Sequence, residues 1–527
     1  MLFLFLILIN ILLRYPFTPH EIGWDSFVIH SLADSINVQH HADWILNPFS
    51  YFGMYPLSYP SSVPFIISST SQASGLSIEG VAWIFTIIIG ILAALGGFIL
   101  AGAIKKNFWF QYIVALMFST SMGLLLFTTW TLTTRGTLEV ILPFFLWSLI
   151  NHLKSQRLTY FILAIMFLIL AASIHRMFIL FAPFILLIMI IPYIIKSKLI
   201  AKTSITESKQ KKMRIIFGIG SFIVAGVLLI LPILGVFGDV YGHFGVEGTY
   251  NSIVWAAAVF ARNVGPIALL SIIGLILIIL KVGKERGEFF TAGAFIIIIP
   301  MILVGSYIST FSMIFFCLIA GFGIILLLKN QKKRKKLVLS GITLLLISSF
   351  VLSAYTQVTP LNILSSEDTV DSRYLENSGY DAAIWCKFNN VSLMTGSGQI
   401  TQRMSALSGV PRFPGNSAQN IIFDLTYPGD LEITTRSFLD PYFYLEGPVV
   451  DSTGAESQIT WYYVRLMNIQ ITNQQAVEIL STYQVEWLVF NNYQVFPNTF
   501  TKSAMQTSYC MFNNEKVSLW YIDSSSW

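Results

Sequence analysis

The stretch RYPFTPHEIGWDSFVIH, residues 14–30, follows an apolar segment, residues 1–13, whose single polar side chain is Asn10. It gathers an arginine, two acids, two histidines and a tryptophan directly after that apolar segment. Such a sequence is typical of a membrane helix that ends at the boundary between lipid and water. The first segment lacks the basic start and the small-residue cleavage site of a signal peptide, so we interpret it as a retained first helix.

The composition of the whole chain supports a membrane location. Of its 527 residues, 55% are hydrophobic and 11% are charged, and the mean hydropathy is +0.69. A water-soluble globule cannot bury that much apolar surface. We therefore predict a polytopic α-helical membrane protein with about eleven transmembrane helices. The predicted helices lie at residues 1–13, 78–104, 108–130, 134–151, 158–175, 177–195, 215–237, 264–281, 289–307, 309–328 and 337–355.

The distribution of Lys and Arg predicts the orientation of these helices. Residues 1–355 contain 24 Lys and Arg, and 20 of them fall in the inner loops if the N-terminus is cytoplasmic. Short cytoplasmic loops collect basic residues. We therefore predict a multi-pass protein of the cell membrane whose long first loop at 14–77, loop at 238–263 and C-terminal region are extracytoplasmic. No run of mixed basic and aromatic residues indicates nucleic-acid binding.

The C-terminal region has a different character. Residues 356–527 contain 8 Lys and Arg against 16 Asp and Glu. We interpret 356–376 as an acidic linker and 377–527 as a small extracytoplasmic α/β domain, because helix-like and strand-like segments alternate there. Within it, TGSGQITQRMSALSG at 395–409 has the glycine turn of an anion-binding helix start, and equally of an ordinary strand-to-helix turn. Cys386 and Cys510 form either one disulfide or two free thiols.

The basic residues on the predicted outer side of the membrane part are all arginines: Arg14, Arg135, Arg176 and Arg262. A guanidinium group offers a rigid fork of donors that can grip a phosphate through two hydrogen bonds. These arginines are therefore candidates for binding a phosphate. The alternative for each of them is an interfacial side chain that extends toward water or pairs with a local acid.

The acids of the first outer loop have two interpretations as well. Asp25 precedes the apolar stripe of GWDSFVIHSLADSI, where it either caps a helix or acts as a carboxylate at the edge of a membrane cavity. His30 is a candidate second proton carrier or metal ligand. Its alternative is a polar side chain packed at the membrane interface. Glu139 is a candidate second carboxylate, or an acid that pairs with Arg135 four residues earlier.

Residues 1–200 resemble the GT-C superfamily of polytopic glycosyltransferases, which includes oligosaccharyltransferases, protein mannosyltransferases and aminoarabinose transferases. Three features carry the resemblance. They are RYPFTPHEIGWDSFVIH after the first helix, the Pro-rich YPLSYPSSVPF at 55–65, and TTWTLTTRGTLEVILPFFLW at 128–147. The outer loops contain no DxD or ExD pair, and the chain contains no WWDxG motif. These departures count against an oligosaccharyltransferase.

The resemblance implies a transferase that moves a sugar from a polyprenyl-phosphate donor in the membrane lipid to an acceptor on the extracytoplasmic face. It implies Asp25 as the acid in the first outer loop, acting as a base or as a metal ligand, and Arg135 with Arg176 or Arg262 on the phosphate. A divalent metal is compatible with the resemblance, but no motif indicates one. The competing interpretation is a non-catalytic transporter or scaffold that displays the C-terminal domain. A transporter is expected to bury charges at mid-membrane, whereas the charges of this chain cluster at helix ends.

Overall fold

The computed structural model describes residues 1–181, 263, 265–281, 286–302, 310–330, 335–358, 375–437, 440, 443, 447–468, 472–492 and 508–522. The helices before residue 182 are α1 (Leu2–Leu13), α2 (Trp24–Gln39), α3 (Ser62–Ser74), α4 (Ile78–Ile104), α5 (Phe108–Ser119), α6 (Met122–Leu125), α7 (Thr134–Ser155) and α8 (Leu158–Ile174). The next four are α9 (Ile267–Leu280), α10 (Arg286–Ile302), α11 (Met313–Asn330) and α12 (Lys335–Val358).

Three of the described helices are long and apolar enough to cross a membrane, namely Ile78–Ile104, Thr134–Ser155 and Lys335–Tyr355. Shorter apolar helices accompany them. Most predicted helices coincide with observed ones to within a few residues. The prediction for 177–195 begins as a 3-10 helix, Arg176–Phe181, and its remainder lies outside the described residues, as does all of 215–237.

The predicted span at 108–130 is interrupted. The helix α5 ends at Ser119, and the one-turn helix α6 follows it. Hydroxyl side chains in this segment donate to helix carbonyls, as Thr120 does to Leu116 at 2.7 Å and Thr128 to Leu124 at 2.8 Å. Such local bonds compete with regular helix geometry. The run of Ser and Thr after residue 118 therefore ends the helix well before the hydrophobic pattern does.

Small residues permit a close helix contact in the membrane part. The helices α9 and α11 meet where Gly274 lies against Gly323. A Cβ atom on Gly274 would lie 2.1 Å from the carbonyl oxygen of Ile319. Close backbone approach at small residues is a common way to join helices in lipid, where apolar side chains gain little from leaving their surroundings.

The first outer loop contains the two helices α2 and α3 and a 3-10 helix, Pro48–Tyr51. Side chains on different sides of α2 pack against different parts of the molecule. Ile29 and Ala33 join the large hydrophobic cluster of the membrane helices, whereas Phe27 packs with Leu375 and Ala406 of the C-terminal region. The helix α2 therefore lies between the membrane part and the C-terminal region.

The C-terminal region contains a four-stranded sheet. Its strands lie in the order β1 (Leu393–Gly396), β4 (Val485–Asn491), β6 (Val517–Tyr521) and β5 (Tyr509–Asn513). The strands β1 and β4 are parallel and the other pairs are antiparallel. Hydrophobic clusters cover both faces of this sheet. A further two-stranded sheet pairs β2 with β3. The elements are α13 (Asn377–Phe388), β1 (Leu393–Gly396), α14 (Gly398–Ser408), α15 (Ala418–Ile422), β2 (Ile433–Thr435), β3 (Val449–Asp451), α16 (Ala455–Asn468), α17 (Asn473–Thr482), β4 (Val485–Asn491), β5 (Tyr509–Asn513) and β6 (Val517–Tyr521).

Two details bear on the predictions for this region. Cys386 is buried, Cys510 is exposed, and both are free thiols, so the disulfide alternative is wrong. The helices α14 and α15 pack against α2. The boundaries proposed for the linker and the α/β domain remain predictions.

Candidate functional site

Glycine and threonine determine where the two helices of the site begin. Gly23 precedes α2 with a φ of 95°, which favours glycine, and a Cβ atom there would lie 2.7 Å from Oγ1 of Thr131. Thr133 caps α7, because its hydroxyl accepts from the backbone N–H of Gly136 at 3.0 Å. The first turns of α2 and α7 are thereby held next to each other.

Asp25 and Arg135 form an ion pair across these two helix starts. Nη2 of Arg135 donates to Oδ2 of Asp25 at 2.5 Å, and the two side chains are 19% and 35% exposed. The guanidinium also lies over the ring of Phe127, 5.2 Å from its centroid. Asp25 therefore does not cap α2. It is an accessible carboxylate held by an arginine that is 110 residues away in the sequence.

Tyr59 links Arg176 to this ion pair. Burial raises the pKa of Tyr59, the charge of Asp25 raises it further, and Arg135 and Arg176 oppose the change. Charge effects of this kind act over short distances, so Arg176, from a separate hairpin, lies within electrostatic range of the same tyrosine as Asp25 and Arg135. We refer to Asp25, Tyr59, Arg135 and Arg176 as the cluster.

A cavity of about 250 Å³ opens next to this cluster. Arg176 lines one side of it, and the C-terminal residues Arg436 and Glu456 line another. Oε1 of Glu456 accepts from the backbone N–H and the hydroxyl of Ser417 at 3.1 and 3.0 Å. The other lining residues are Tyr55, Pro56, Leu57, Ser58, Val449, Val450, Asp451, Gly454 and Ser457. The cavity is thus built jointly by the first outer loop and the C-terminal region.

Glu139 and Arg262 are two further residues that the sequence predicts for the site. Glu139 lies one turn beyond Arg135 on α7, is 2% exposed, and is within electrostatic range of that arginine. Glu139 lies farther from the start of α7 than Arg135 does, and it is shielded from solvent. Arg262 lies outside the described residues, so its proposed role stays a prediction.

His30 belongs to a buried network that positions α2. Nδ1 of His30 and Oε1 of Glu21 are 2.5 Å apart, and the two side chains are 7% and 0% exposed. Oε2 of Glu21 accepts from Ser26, whose hydroxyl accepts in turn from the backbone N–H of Leu132 at 2.8 Å. Burial lowers the pKa of His30, but the charge and hydrogen bond of Glu21 outweigh it, and the pKa is raised overall.

Arg14 is a packing residue in this structure, which corrects its assignment as a phosphate ligand. Its side chain is 0% exposed. Its guanidinium donates to Oδ1 of Asn10 and to the hydroxyl of Thr128, both at 2.8 Å. It lies against Gly90, where a Cβ atom would come within 2.5 Å of Cζ. These contacts join α1 to two neighbouring segments and leave no room for a ligand.

Some residues in and around the cluster could not be recognised from the sequence. Tyr59 is one of several tyrosines in a Pro-rich loop, and its proximity to Asp25 follows from the path of that loop. Glu21 is one of several acids in the stretch that opens the first outer loop, and its burial against His30 depends on the packing of α2. Glu79, which accepts from the backbone N–H of Glu21 at 3.1 Å, has the appearance of an ordinary helix-start acid.

The described residues contain no group of three or more His, Cys, Asp or Glu side chains that could hold a metal ion. Asp25, the acid of the proposed site, is engaged by Arg135. These residues do not fit a divalent metal, so we derive no step through one.

Comparison with solved structures identifies the fold. The structure matches the oligosaccharyltransferase of Archaeoglobus fulgidus in complex with zinc and sulfate, with a TM-score of 0.58 and 11% identity, over 93% of this chain and 68% of the other. It also matches the archaeal oligosaccharyltransferase AglB from Archaeoglobus fulgidus in complex with an inhibitory peptide and a dolichol-phosphate, with a TM-score of 0.58, 11% identity, and 93% and 69% coverage.

A third match is the arabinofuranosyltransferase AftD from Mycobacteria, with a TM-score of 0.53, 12% identity, and 98% coverage of this chain against 41% of the other. No protein-family model and no curated protein matches the chain. The solved neighbours are described as an oligosaccharyltransferase and an arabinofuranosyltransferase. The predicted resemblance to polytopic glycosyltransferases is therefore confirmed at the level of the fold, which is what a likeness at this identity establishes.

Proposed function

We propose that this protein is a membrane glycosyltransferase of the GT-C type. It transfers a sugar from a polyprenyl-phosphate-linked donor to an acceptor on the extracytoplasmic face. The observation that carries the proposal is the Asp25–Arg135 pair, 2.5 Å long, with Arg176 in range of the same cluster and a polar cavity beside it. One acid and two guanidinium groups, of which Arg176 lines the cavity, are the groups that such a transfer needs.

In the proposed reaction, an acceptor hydroxyl attacks the anomeric carbon of the sugar. The oxygen–carbon bond forms as the bond between that carbon and the phosphate oxygen breaks, so the configuration inverts. Asp25 takes the proton of the attacking hydroxyl. The polyprenyl phosphate leaves with the bonding electrons, and its charge is received by Arg135 and Arg176.

The ion pair with Asp25 gives Arg135 two successive roles in this proposal. Before the donor binds, its guanidinium neutralises Asp25. A donor phosphate competes for that guanidinium, because phosphate accepts a bidentate pair of hydrogen bonds. Binding of the donor would thereby release the Asp25 carboxylate to accept a proton. The acid becomes active when the leaving group is in place.

The neighbours give independent support for the donor class. The archaeal enzyme is described in complex with a dolichol-phosphate, which is a polyprenyl phosphate. In this chain the cluster lies at the starts of α2 and α7, and α7 is one of the helices long and apolar enough to span a membrane. A phosphate on a membrane lipid could reach arginines at such a position.

The test uses the purified full-length protein in lipid vesicles with a panel of radiolabelled sugars linked to polyprenyl phosphate. Replacing Asp25→Asn keeps the size of the side chain and removes the base. The expected result is a fall in transfer of about 10²- to 10⁴-fold. The matched control is Asp43→Asn in the same loop, since Asp43 pairs with the exposed His41.

The control variant is expected to transfer sugar at the wild-type rate. Both variants must elute as the wild type does and show the same unfolding temperature. A folded Asp25→Asn protein that transfers sugar at an unchanged rate would exclude the proposed mechanism.

A further inference from the structure

Arg412 is a buried cation with no counterion in the described structure. Its side chain belongs to the C-terminal region, next to β1, where residue 412 bridges Met394. Arg412 is 2% exposed. Within the described part of the chain, its Nε and Nη2 have no hydrogen-bond partner and no acid forms an ion pair with it. The other buried arginine discussed above, Arg14, makes four hydrogen bonds through its two terminal nitrogens.

An unpaired buried charge is costly, which makes this side chain informative. Burial lowers the pKa of Arg412 to about 9, and Tyr463 opposes that change. The guanidinium therefore still carries its charge at neutral pH. Buried charges in folded proteins are normally paired and hydrogen-bonded. A guanidinium kept charged and unpaired in the interior indicates a partner that binds from outside.

The position of Arg412 places such a partner near the proposed base. Its Cζ lies over the ring of Trp24, 5.6 Å from the centroid. Trp24 is the residue before Asp25, and successive side chains of an α-helix point about 100° apart. Arg135 approaches Asp25 from the start of α7. Arg412 approaches the neighbouring side of α2 from the C-terminal region.

Two amide side chains of the same region also lack partners. Gln402 in α14 and Asn420 in α15 are 0% exposed. Neither their amide nitrogens nor their oxygens have a hydrogen-bond partner in the described structure. The helices that carry them both pack against α2. Buried amides are expected to be satisfied, so these groups indicate a polar ligand or bound water in the same interface.

The start of α14, which the sequence offered as an anion site, is already covered. The hydroxyl of Tyr463 donates to the carbonyl oxygen of Gly396 at 2.9 Å. The backbone N–H of Ser397 donates to the carbonyl oxygen of Val489 at 2.9 Å. The helix start therefore takes no part in the inference, which depends on the unpaired side chains.

We propose that Arg412 is the centre of an anion-binding subsite that holds a carboxylate or phosphate group of the acceptor, with its reactive hydroxyl at Asp25. The assignment of the anion to the acceptor rests on the proposed function, because a base that activates the acceptor must lie between donor and acceptor. The donor phosphate is assigned to Arg135 and Arg176. The subsite on the other side of Asp25 then faces the acceptor.

The test measures anion binding without sugar transfer. Full-length protein in lipid nanodiscs carries Arg135→Gln, which removes an arginine of the proposed donor site. Acetate or inorganic phosphate is added, and the rise in unfolding temperature gives an apparent affinity. Adding Arg412→Met is expected to weaken that affinity about tenfold or more. Arg412→Lys keeps the charge but not the planar fork of donors, so it is expected to weaken the affinity less than Arg412→Met does.

A second measurement separates loss of binding from loss of folding. Methionine keeps the apolar stem of the side chain and removes its uncompensated charge. The unfolding temperature of the ligand-free Arg412→Met protein is therefore expected to equal or exceed that of the wild type. A lower value, or unchanged anion affinity in a folded variant, would overturn the subsite.

Binding of polyprenyl phosphate tests which substrate carries the anion. The Arg412→Met protein is expected to bind this lipid within about threefold of the wild type, since the donor phosphate is assigned to other arginines. A loss of about tenfold or more would overturn the assignment to the acceptor. Failure of the proposed function is recognised separately, because it appears as an unchanged transfer rate in Asp25→Asn.

Discussion

Buried polar groups on the two sides of α2 differ in whether they have hydrogen-bond partners. On the side that faces the membrane helices, Glu21, His30 and Ser26 form a closed hydrogen-bond network in which each group has a partner. On the side that faces the C-terminal region, Arg412, Gln402 and Asn420 are equally buried and carry polar atoms that have no partner within the described residues. Satisfied groups hold a structure together, whereas unsatisfied ones lower its stability unless a ligand binds.

This difference assigns different tasks to residues that look alike in the sequence. Glu21 and Asp25 are acids four residues apart, yet Glu21 is enclosed and Asp25 is 35% exposed. We interpret Glu21 as a positioning residue that orients α2, and Asp25 as the group that meets the substrate. The three experiments below test that contrast.

The largest effect on stability is expected at Glu21. Replacing Glu21→Ala leaves His30 and Ser26 buried without their acceptor. Removing one member of a buried pair costs about 3–5 kcal/mol of the free energy of unfolding. Chemical unfolding in a detergent of constant composition measures this loss. The control is Glu478→Ala, an exposed glutamate of α17, for which the change is expected to be within about 0.5 kcal/mol.

If Glu21→Ala unfolds at the wild-type denaturant concentration, the network does not hold α2. The contrast with Asp25 would then disappear. Asp25→Asn should leave stability nearly unchanged, because its ion pair is partly solvated and such pairs contribute little.

A smaller effect is expected from changing the chemistry of Arg135 while keeping its charge. Arg135→Lys replaces a planar fork of donors by a point charge. We expect the dissociation constant for polyprenyl phosphate to rise about tenfold. Equilibrium binding of the radiolabelled lipid to protein in nanodiscs measures it. Arg157→Lys, at an exposed position after α7, is the matched control, and equal affinities of the two variants would remove Arg135 from the phosphate site.

The smallest effect is a dependence of stability on pH. The pKa of His30 is raised above its ordinary value of 6.5, because the charge and hydrogen bond of Glu21 outweigh burial. The folded protein therefore binds a proton more tightly than the unfolded chain. The stability that this proton contributes is complete below pH 6.5 and is lost as pH rises through the folded pKa.

The measurement compares unfolding temperatures of the wild type and His30→Gln from pH 6 upward. The advantage of the wild type is expected to shrink as pH rises. A constant or growing advantage would mean that the pair is not ionised in the folded protein.

Much of the fold could be predicted from the sequence, because hydrophobic length and periodicity act locally. The helix at 78–104 has the bounds that the sequence predicts, since its long apolar run contains no proline and no charged residue after Glu79. The span at 108–130 failed because Ser and Thr side chains end α5 at Ser119 through local hydrogen bonds. That competition depends on geometry that a hydropathy pattern does not contain.

The candidate site, like the fold, could be predicted only in part from the sequence. The sequence drew attention to Asp25, Arg135 and Arg176, because charged groups at the ends of apolar helices are few. The burial of Arg14 could not be predicted from the sequence, since Arg14 and Arg135 both follow or begin a helix at the predicted outer boundary. Arg14 is packed over Gly90 and Arg135 faces Asp25, and the difference arises from helix packing.

The sequence by itself determined that the chain is a membrane protein with a long acidic and aromatic first loop, because hydrophobic burial and charge asymmetry act on each segment separately. The tertiary structure alone decided which polar groups meet. Asp25 and Arg135 are 110 residues apart, and Trp24 lies under an arginine from the C-terminal region. Such contacts are fixed by how helices pack against one another, and a pairing energy exists only after that packing has brought the charges together.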